Sequence, residues 1–295
     1  MKYYMLPLIV LFACSGKQQT EPTEEYQSEI NNWKQKRLTA LKAENGYVNL
    51  AGLFWLQEGE TTFGGSEDNG IVFPTEKTPS YLGSFIKQDS TIVINAIDTN
   101  MFMNDQKIIG QAVAFTSMTE KPKVFSRGSL QWIIIQRGDQ IGVRLRDLEH
   151  PNLTSMEAIE YYPLNPEYRV IADYEPYDPP KMIQTTNVLG ITYDAPIPGK
   201  LTFELKGKQY TLEPNIDEGD LHIRFKDATT GKETYGLGRY LKAEMPDGPA
   251  QVVVDFNKAY NPPCAFTEFA TCPLPPEQNT IGIKVEAGEK TYGEH

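Results

Sequence analysis

The chain is short of the residues that most catalytic and metal-binding templates require. It has 3 cysteines and 3 histidines in 295 residues, and the histidines, His150, His222 and His295, lie far apart. That scatter leaves no His/Cys cluster with zinc spacing and no H-E-x-x-H helix, so no metal or other cofactor is expected. No G-x-S-x-G elbow and no phosphate-cradling glycine loop occurs, which removes the common hydrolase and nucleotide-binding templates. Positive charge is also scarce. With 28 Lys and Arg against 39 Asp and Glu, the net charge of −11 argues against nucleic acid as a partner. The apolar runs are short, and none is long enough to span a bilayer.

What is present begins with a leader. Residues 1–13 hold a lone Lys2 and then an apolar run, flanked like a secretory signal. The run ends at Leu11-Phe-Ala-Cys14, which resembles the lipobox of bacterial lipoproteins. That likeness implies diacylglycerol on Cys14 and a partner in the membrane itself, with a protein of the bacterial cell envelope, periplasmic or outer-membrane in placement. Residues 14–25 are polar and contain Pro22, as a flexible tether would.

From residue 24 to about 44 the pattern is helical. Tyr26, Ile30, Trp33 and Leu41 lie near one face, lysines lie outside it, and Asn45-Gly46 supplies the stop. The 16 Tyr and 13 Phe suit strands, and short apolar or alternating runs are cut by Gly, Pro, Asn and Asp from there on. Strands are expected over 47–56, 71–74, 84–88, 91–95, 111–116, 130–136 and 142–145. The fold class is mainly β: an amphipathic helix and a β-sandwich over 26–160, then a second, mostly antiparallel β unit over 161–295. The Tyr- and Pro-rich stretch 161–180 reads as the connector, with one short strand at 168–174. In the second unit the spacing predicts a hairpin over 200–213, strands at 222–225 and 234–241 around a turn at 227–231, and a closing strand at 281–286.

Gly64-Gly-Ser-Glu-Asp-Asn-Gly70 and the strand-like runs after it loosely resemble a forkhead-associated domain. Gly65 stands where that family places its phosphate-binding arginine, and Glu67 and Asp68 would repel a phosphate, so only the sheet is carried over. Arg137-Gly-Asp139 is turn chemistry between two strands. Alternation at 143–147 places Arg144 and Arg146 on one face, ready for the chain's own carboxylates or for a carboxylate ligand.

The densest stretch is 252–279, where an apolar strand runs into a loop stiffened by Pro262, Pro263, Pro273, Pro275 and Pro276. A polar set gathers on or near strand ends there: Arg239, Asp255, Asn257, Tyr260, Asn261, Asn279 and Glu289. Two readings stand. In the first, Asp and Asn satisfy the loop's backbone donors while Arg239 pairs with Asp255. In the second, Arg239 and Asp255 head a pocket walled by Tyr235, Tyr260 and Phe266 that takes a small polar molecule. Asp227, Asp255 and Glu289 can also converge as glycosidase-like carboxylates, a weakly specified arrangement. Cys264 and Cys272 are close enough in sequence to close a disulfide, to sit as buried free thiols, or to hold a reactive cysteine.

Trp33 with Arg37, Asn49-Leu-Ala-Gly-Leu-Phe-Trp-Leu56, Phe225-Lys-Asp-Ala-Thr-Thr-Gly231, Gly238-Arg239, Asp255-Phe-Asn257, Asn261-Pro-Pro-Cys-Ala-Phe266, Ala270-Thr-Cys-Pro-Leu-Pro-Pro276 and Ala287-Gly-Glu-Lys290 resemble an uncharacterised bacterial family classed as a domain of unknown function. The likeness runs from Trp33 to the C-terminus and implies no activity. The expectation is a lipid-anchored envelope protein that binds a small ligand or partner at the 252–279 loop. A hydrolase using Asp255 or Cys264 and a purely structural lipoprotein are the alternatives.

Overall fold

A computed structural model describes residues 21–118 and 121–293. The leader, Cys14 and most of the tether lie outside the described residues, as does His295. The chain opens with helix α1 (Glu24–Lys42), whose N-cap Thr23 accepts from the Tyr26 amide. It stops where expected. A Cβ at Gly46 would overlap the Leu41 carbonyl, and Asn49 turns back to donate to the Glu44 carbonyl at 2.8 Å.

The next strands are β1 (Leu50–Trp55), β2 (Gly59–Gly64), β3 (Ile71–Val72), β4 (Gly83–Gln88), β5 (Thr91–Ala96), β6 (Phe102–Met103), β7 (Gln106–Lys107), β8 (Gly110–Phe115), β9 (Phe125–Arg127), β10 (Leu130–Arg137) and β11 (Gln140–Asp147). They form a six-stranded sheet, β1-β11-β10-β9-β6-β7, and a five-stranded one, β3-β2-β4-β5-β8. The alternating residues of both sheets meet in one core. Phe63, Phe85, Ile92 and Ile94 pack there against Phe125, Trp132, Val143 and Leu145.

The second unit holds β12 (Arg169–Thr186), β13 (Thr192–Leu205), β14 (Lys208–Leu212), β15 (Asn215–Asp217), β16 (Asp220–Asp227), β17 (Arg239–Ala243), β18 (Ala250–Asp255) and β19 (Thr280–Ile281). Sheet β14-β13-β12-β18 faces sheet β15-β16-β17, and Ala172, Leu201, Phe203, Val252 and Val254 pack on Ile223, Phe225 and Leu241. The protein is mainly β with one long helix.

Three local expectations need correction. The 161–180 stretch is less a connector than the start of an 18-residue strand. Its prolines are tolerated because pairing with β18 ends at Tyr174 and the register to β13 breaks between Pro176 and Lys181. The strand expected at 234–241 begins only at Arg239, because Thr229 and Thr234 close a turn through their hydroxyls at 2.9 Å. The closing strand shrinks to β19, paired in parallel with β16, and the residues after it run as an irregular segment held by side chains. Helix α1 also serves the second unit more than the sandwich it precedes: Tyr26 bonds to Asp255, Arg37 to Glu289, and Leu41 packs with Ala265 and Phe266.

Phe256 anchors the second core, fully buried between Phe203 at 5.6 Å and Phe225 at 5.4 Å. Phe256→Ala is expected to cost about 3–5 kcal/mol. Urea unfolding checks this; a loss under about 1 kcal/mol would mean the core closes over the gap.

Candidate functional site

The polar set does not line one pocket. Arg239, Asp255, Asn257, Asn261, Asn279 and Glu289 are between 0% and 5% exposed and divide into separate hydrogen-bonded groups. Two surface clefts, of about 420 Å³ beside Asn165 and Lys206 and about 320 Å³ beside Trp33, are lined by none of them.

Arg239 pairs with Asp227 at 2.7 Å, not with Asp255. The register explains the difference: Arg239 lies opposite Phe225 on β16, which puts it beside Asp227 two residues on, whereas Asp255 lies opposite Arg169 on β12. The same guanidinium donates to the carbonyls of Val285 at 2.9 Å, of Glu289 at 3.3 Å and of Ala287. Asp227 also accepts from the Thr229 amide and hydroxyl, both at 2.6 Å. This pair therefore pins the irregular C-terminal segment to the end of β16.

Asp255 caps the single 3-10 turn after β18, accepting from the Asn257 amide at 3.0 Å and from the Tyr26 hydroxyl at 2.9 Å. Burial, reinforced by the Asp255 carboxylate, pushes the Tyr26 phenol well above its ordinary value. Asn257 donates to the Asn165 carbonyl at 2.9 Å and accepts from the Asn165 amide at 3.1 Å. Asn279 does the same work elsewhere, joining the Glu213 amide at 2.8 Å to the Glu213 and Arg224 carbonyls, both at 2.9 Å.

Glu289 is fully buried and forms the link to the helix. It accepts from Arg37 Nε at 3.1 Å, the Asn261 amide at 2.7 Å and the Tyr161 hydroxyl at 3.3 Å. Burial pushes its carboxyl above the usual range, and Arg37 opposes that shift. Arg37 also donates to the Asn261 carbonyl at 2.7 Å and lies over the Tyr260 ring at 4.7 Å. Burial raises the Tyr260 phenol to about 12. Asn261 Nδ2 reaches the Lys290 carbonyl at 2.7 Å.

Asp227, Asp255 and Glu289 thus each face a partner of their own instead of one another. Cys264 and Cys272 are free thiols here, with no bond formed between them, and the Cys264 amide donates to Cys272 Sγ at 3.0 Å. The Cys272 thiol lowers the pKa of Cys264, while burial pushes Cys272 up. His222 packs edge-on against Tyr240 at 4.8 Å, and His150 Nδ1 accepts from the Asn152 amide. Neither histidine is hydrogen-bonded to Cys264 or Asp255. Among the described residues no group of three or more His, Cys, Asp or Glu is placed to hold a metal ion.

The bonds of Tyr26 to Asp255 and of Asn165 to Asn257 had no local pattern to announce them, since each spans a long chain separation. Arg144 and Arg146 were marked by alternation, but among the described residues neither pairs with a carboxylate. Arg144 instead donates to the Thr271 hydroxyl at 3.2 Å, and Arg146 to the Gly46 carbonyl and to Asn49 Oδ1.

These features define a two-unit β protein with an internally bonded polar signature. Residues 154–290 match the family model described as "Protein of unknown function (DUF1684)", so that segment falls in an uncharacterised family. Comparison with curated proteins gave no match. Among solved structures, the chain is similar to an uncharacterized protein of Haloarcula marismortui determined by solution NMR: 34% identity over 47% of this chain and 79% of that one, with a TM-score of 0.40.

Two outcomes follow from the geometry. Arg37→Leu leaves Glu289 buried without its cation and is expected to cost about 3 kcal/mol, while Arg37→Leu with Glu289→Leu should cost less than the sum of the single changes. Chemical denaturation of the four proteins reads the coupling, and strict additivity would dissolve the clamp. For His222, burial pushes the imidazole down to about 4. Its stabilising contribution is full above the unfolded value of about 6.5 and falls away as pH drops toward the folded value, by about 1.4 kcal/mol per pH unit. His222→Gln should flatten the stability profile in that window; an unchanged slope assigns it to other groups.

Proposed function

We propose that this is a lipid-anchored protein of the bacterial cell envelope, periplasmic or outer-membrane in placement, whose binding element is the loop carrying Asn261-Pro-Pro-Cys-Ala-Phe266 and Ala270-Thr-Cys-Pro-Leu-Pro-Pro276. Those two elements serve in this reading as the mark of its family. The lipobox-like run ending at Cys14 supports the anchor. In this reading acyl chains on Cys14 supply the attachment; no helix among the described residues is long and apolar enough to cross a membrane.

One observation carries the binding reading: the loop is held from both sides. Glu289 and Arg37 bind its first residues through Asn261, and Arg137 and Arg144 of the sandwich both donate to Thr271 near its end. A loop fixed in this way loses little conformational freedom when it meets a ligand. Arg239, Asp255, Asn257, Asn261, Asn279 and Glu289 are then supports beneath it, and the part-exposed Tyr260 and Cys264 belong to its surface. The near-complete burial of the supports also favours a second reading, a purely structural lipoprotein. The hydrolase alternative draws less support, because Asp255 is capped by Tyr26 and Asn257 and Cys264 has no histidine partner.

Cys14→Ala tests the anchor: the body should move into the soluble periplasmic fraction, and continued membrane retention would overturn the lipobox reading. Hydrogen exchange of amides 264–274, measured with and without a small-molecule envelope extract, tests the loop. Slower exchange on addition is expected; unchanged exchange favours the structural reading.

A further inference from the structure

The outer face of the six-stranded sheet carries arginines that, among the described residues, have no carboxylate partner. Val143 and Leu145 of β11 point into the sandwich core, so Arg144 and Arg146 point away from it. Arg137 shares their face. The β10–β11 register sets Ile133 opposite Arg144 and Arg137 opposite Gln140, an even step along both strands. Over that face lies the family loop. Arg137 Nε donates to Thr271 Oγ1 at 2.9 Å and Arg144 Nη2 donates to the same oxygen at 3.2 Å.

One neutral hydroxyl thus receives two cations. Arg144 is only 6% exposed, its Nε has no acceptor, and it makes no ion pair among the described residues. Its titratable neighbours include Arg137, Arg146, the Tyr47 phenol and the Cys272 thiol, and burial pushes that thiol's pKa up, so a thiolate is not the missing anion. Burial and the Arg137 charge lower the Arg144 guanidinium to about 10. Asn187, 1% exposed, also leaves Nδ2 unpartnered, and its backbone is bridged to Pro273, two residues from Thr271.

A buried guanidinium without an anion is among the costliest arrangements in a protein interior, and 39 acidic residues were available to relieve it. Two guanidiniums sharing one neutral hydroxyl lack a negative acceptor, which an oxyanion supplies, and a guanidinium fork fits a carboxylate or a phosphate with two parallel bonds. We propose that Arg137, Arg144 and Thr271 form a binding site for the oxyanion group, carboxylate or phosphate, of a small ligand. Arg144 forms its buried base and the part-exposed Arg137 its rim. The site rests on the reading of the family loop as the binding element and gives that element its ligand chemistry.

Calorimetric titration of the full-length protein in detergent with inorganic phosphate, and separately with succinate, tests it. Saturable binding of at least one probe is expected, and the probe that binds tells phosphate from carboxylate. Arg137→Gln should weaken binding tenfold or more, and Lys208→Gln, on an exposed hairpin, should leave it unchanged. Arg144→Gln should abolish binding and raise the melting temperature in anion-free buffer. If that variant fails to fold, Arg137→Gln still decides the matter from the rim. No saturable binding of either probe overturns the site; binding that Arg137→Gln leaves untouched reports an adventitious ion only and overturns it equally. Protection of amides 264–274 by envelope extract, with neither probe bound, would sink the oxyanion and spare the loop. Absence of both would sink the two together.

Discussion

The second unit depends on the buried ion pair between Arg239 and Asp227. A charge pair taken out of water is tolerated only when most of its remaining donors and acceptors are satisfied, and here all but the Arg239 Nε are spent, chiefly on backbone. The guanidinium collects carbonyls from Val285, Ala287 and Glu289, and the carboxylate collects the turn at Thr229. That geometry gives shape to a segment with no ladder of its own. It also aims the Glu289 side chain at the Asn261 amide and at Arg37, so the proline-rich loop and the helix take their positions from a pair neither touches.

The periodic parts of the fold are legible in the sequence. Tyr26, Ile30 and Leu41 at helical spacing fall on the buried face of α1, and the alternation at 200–213 returns as the β13–β14 hairpin. The failures have a physical pattern. Prolines at 176–180 read as a break because sequence does not tell an edge from a centre, and β12 becomes an edge where they occur. The apolar residues at 281–286 read as a strand, yet Arg239 takes the Val285 carbonyl and, just beyond, that of Ala287, which a ladder would have used.

The candidate site was legible by composition and not by connection. The sequence singles out Asp255, Asn257, Asn261, Asn279 and Glu289 because polar side chains among prolines need partners. It does not say which. The bonds to the helix close over separations that local pattern cannot encode: Tyr26 reaches Asp255 across 229 residues, and Arg37 reaches Glu289 across 252. Arg144 makes the converse point. Its strand position was readable, but the lack of a carboxylate opposite it depends on how the loop at Thr271 lies across the sheet.

The long span between α1 and its partners also orders events in time. Synthesis delivers Arg37 252 residues ahead of Glu289, so through that span of elongation the helix lacks this partner. Contacts of this range are closed late because the intervening chain must first be brought together. The sandwich, whose pairings lie within 50–147, can complete itself meanwhile. A nascent chain halted before Asp255 would carry a finished sandwich beside an undocked helix with Tyr26 and Ile30 facing water. Docking of that helix is therefore a built-in mark that synthesis has passed Glu289.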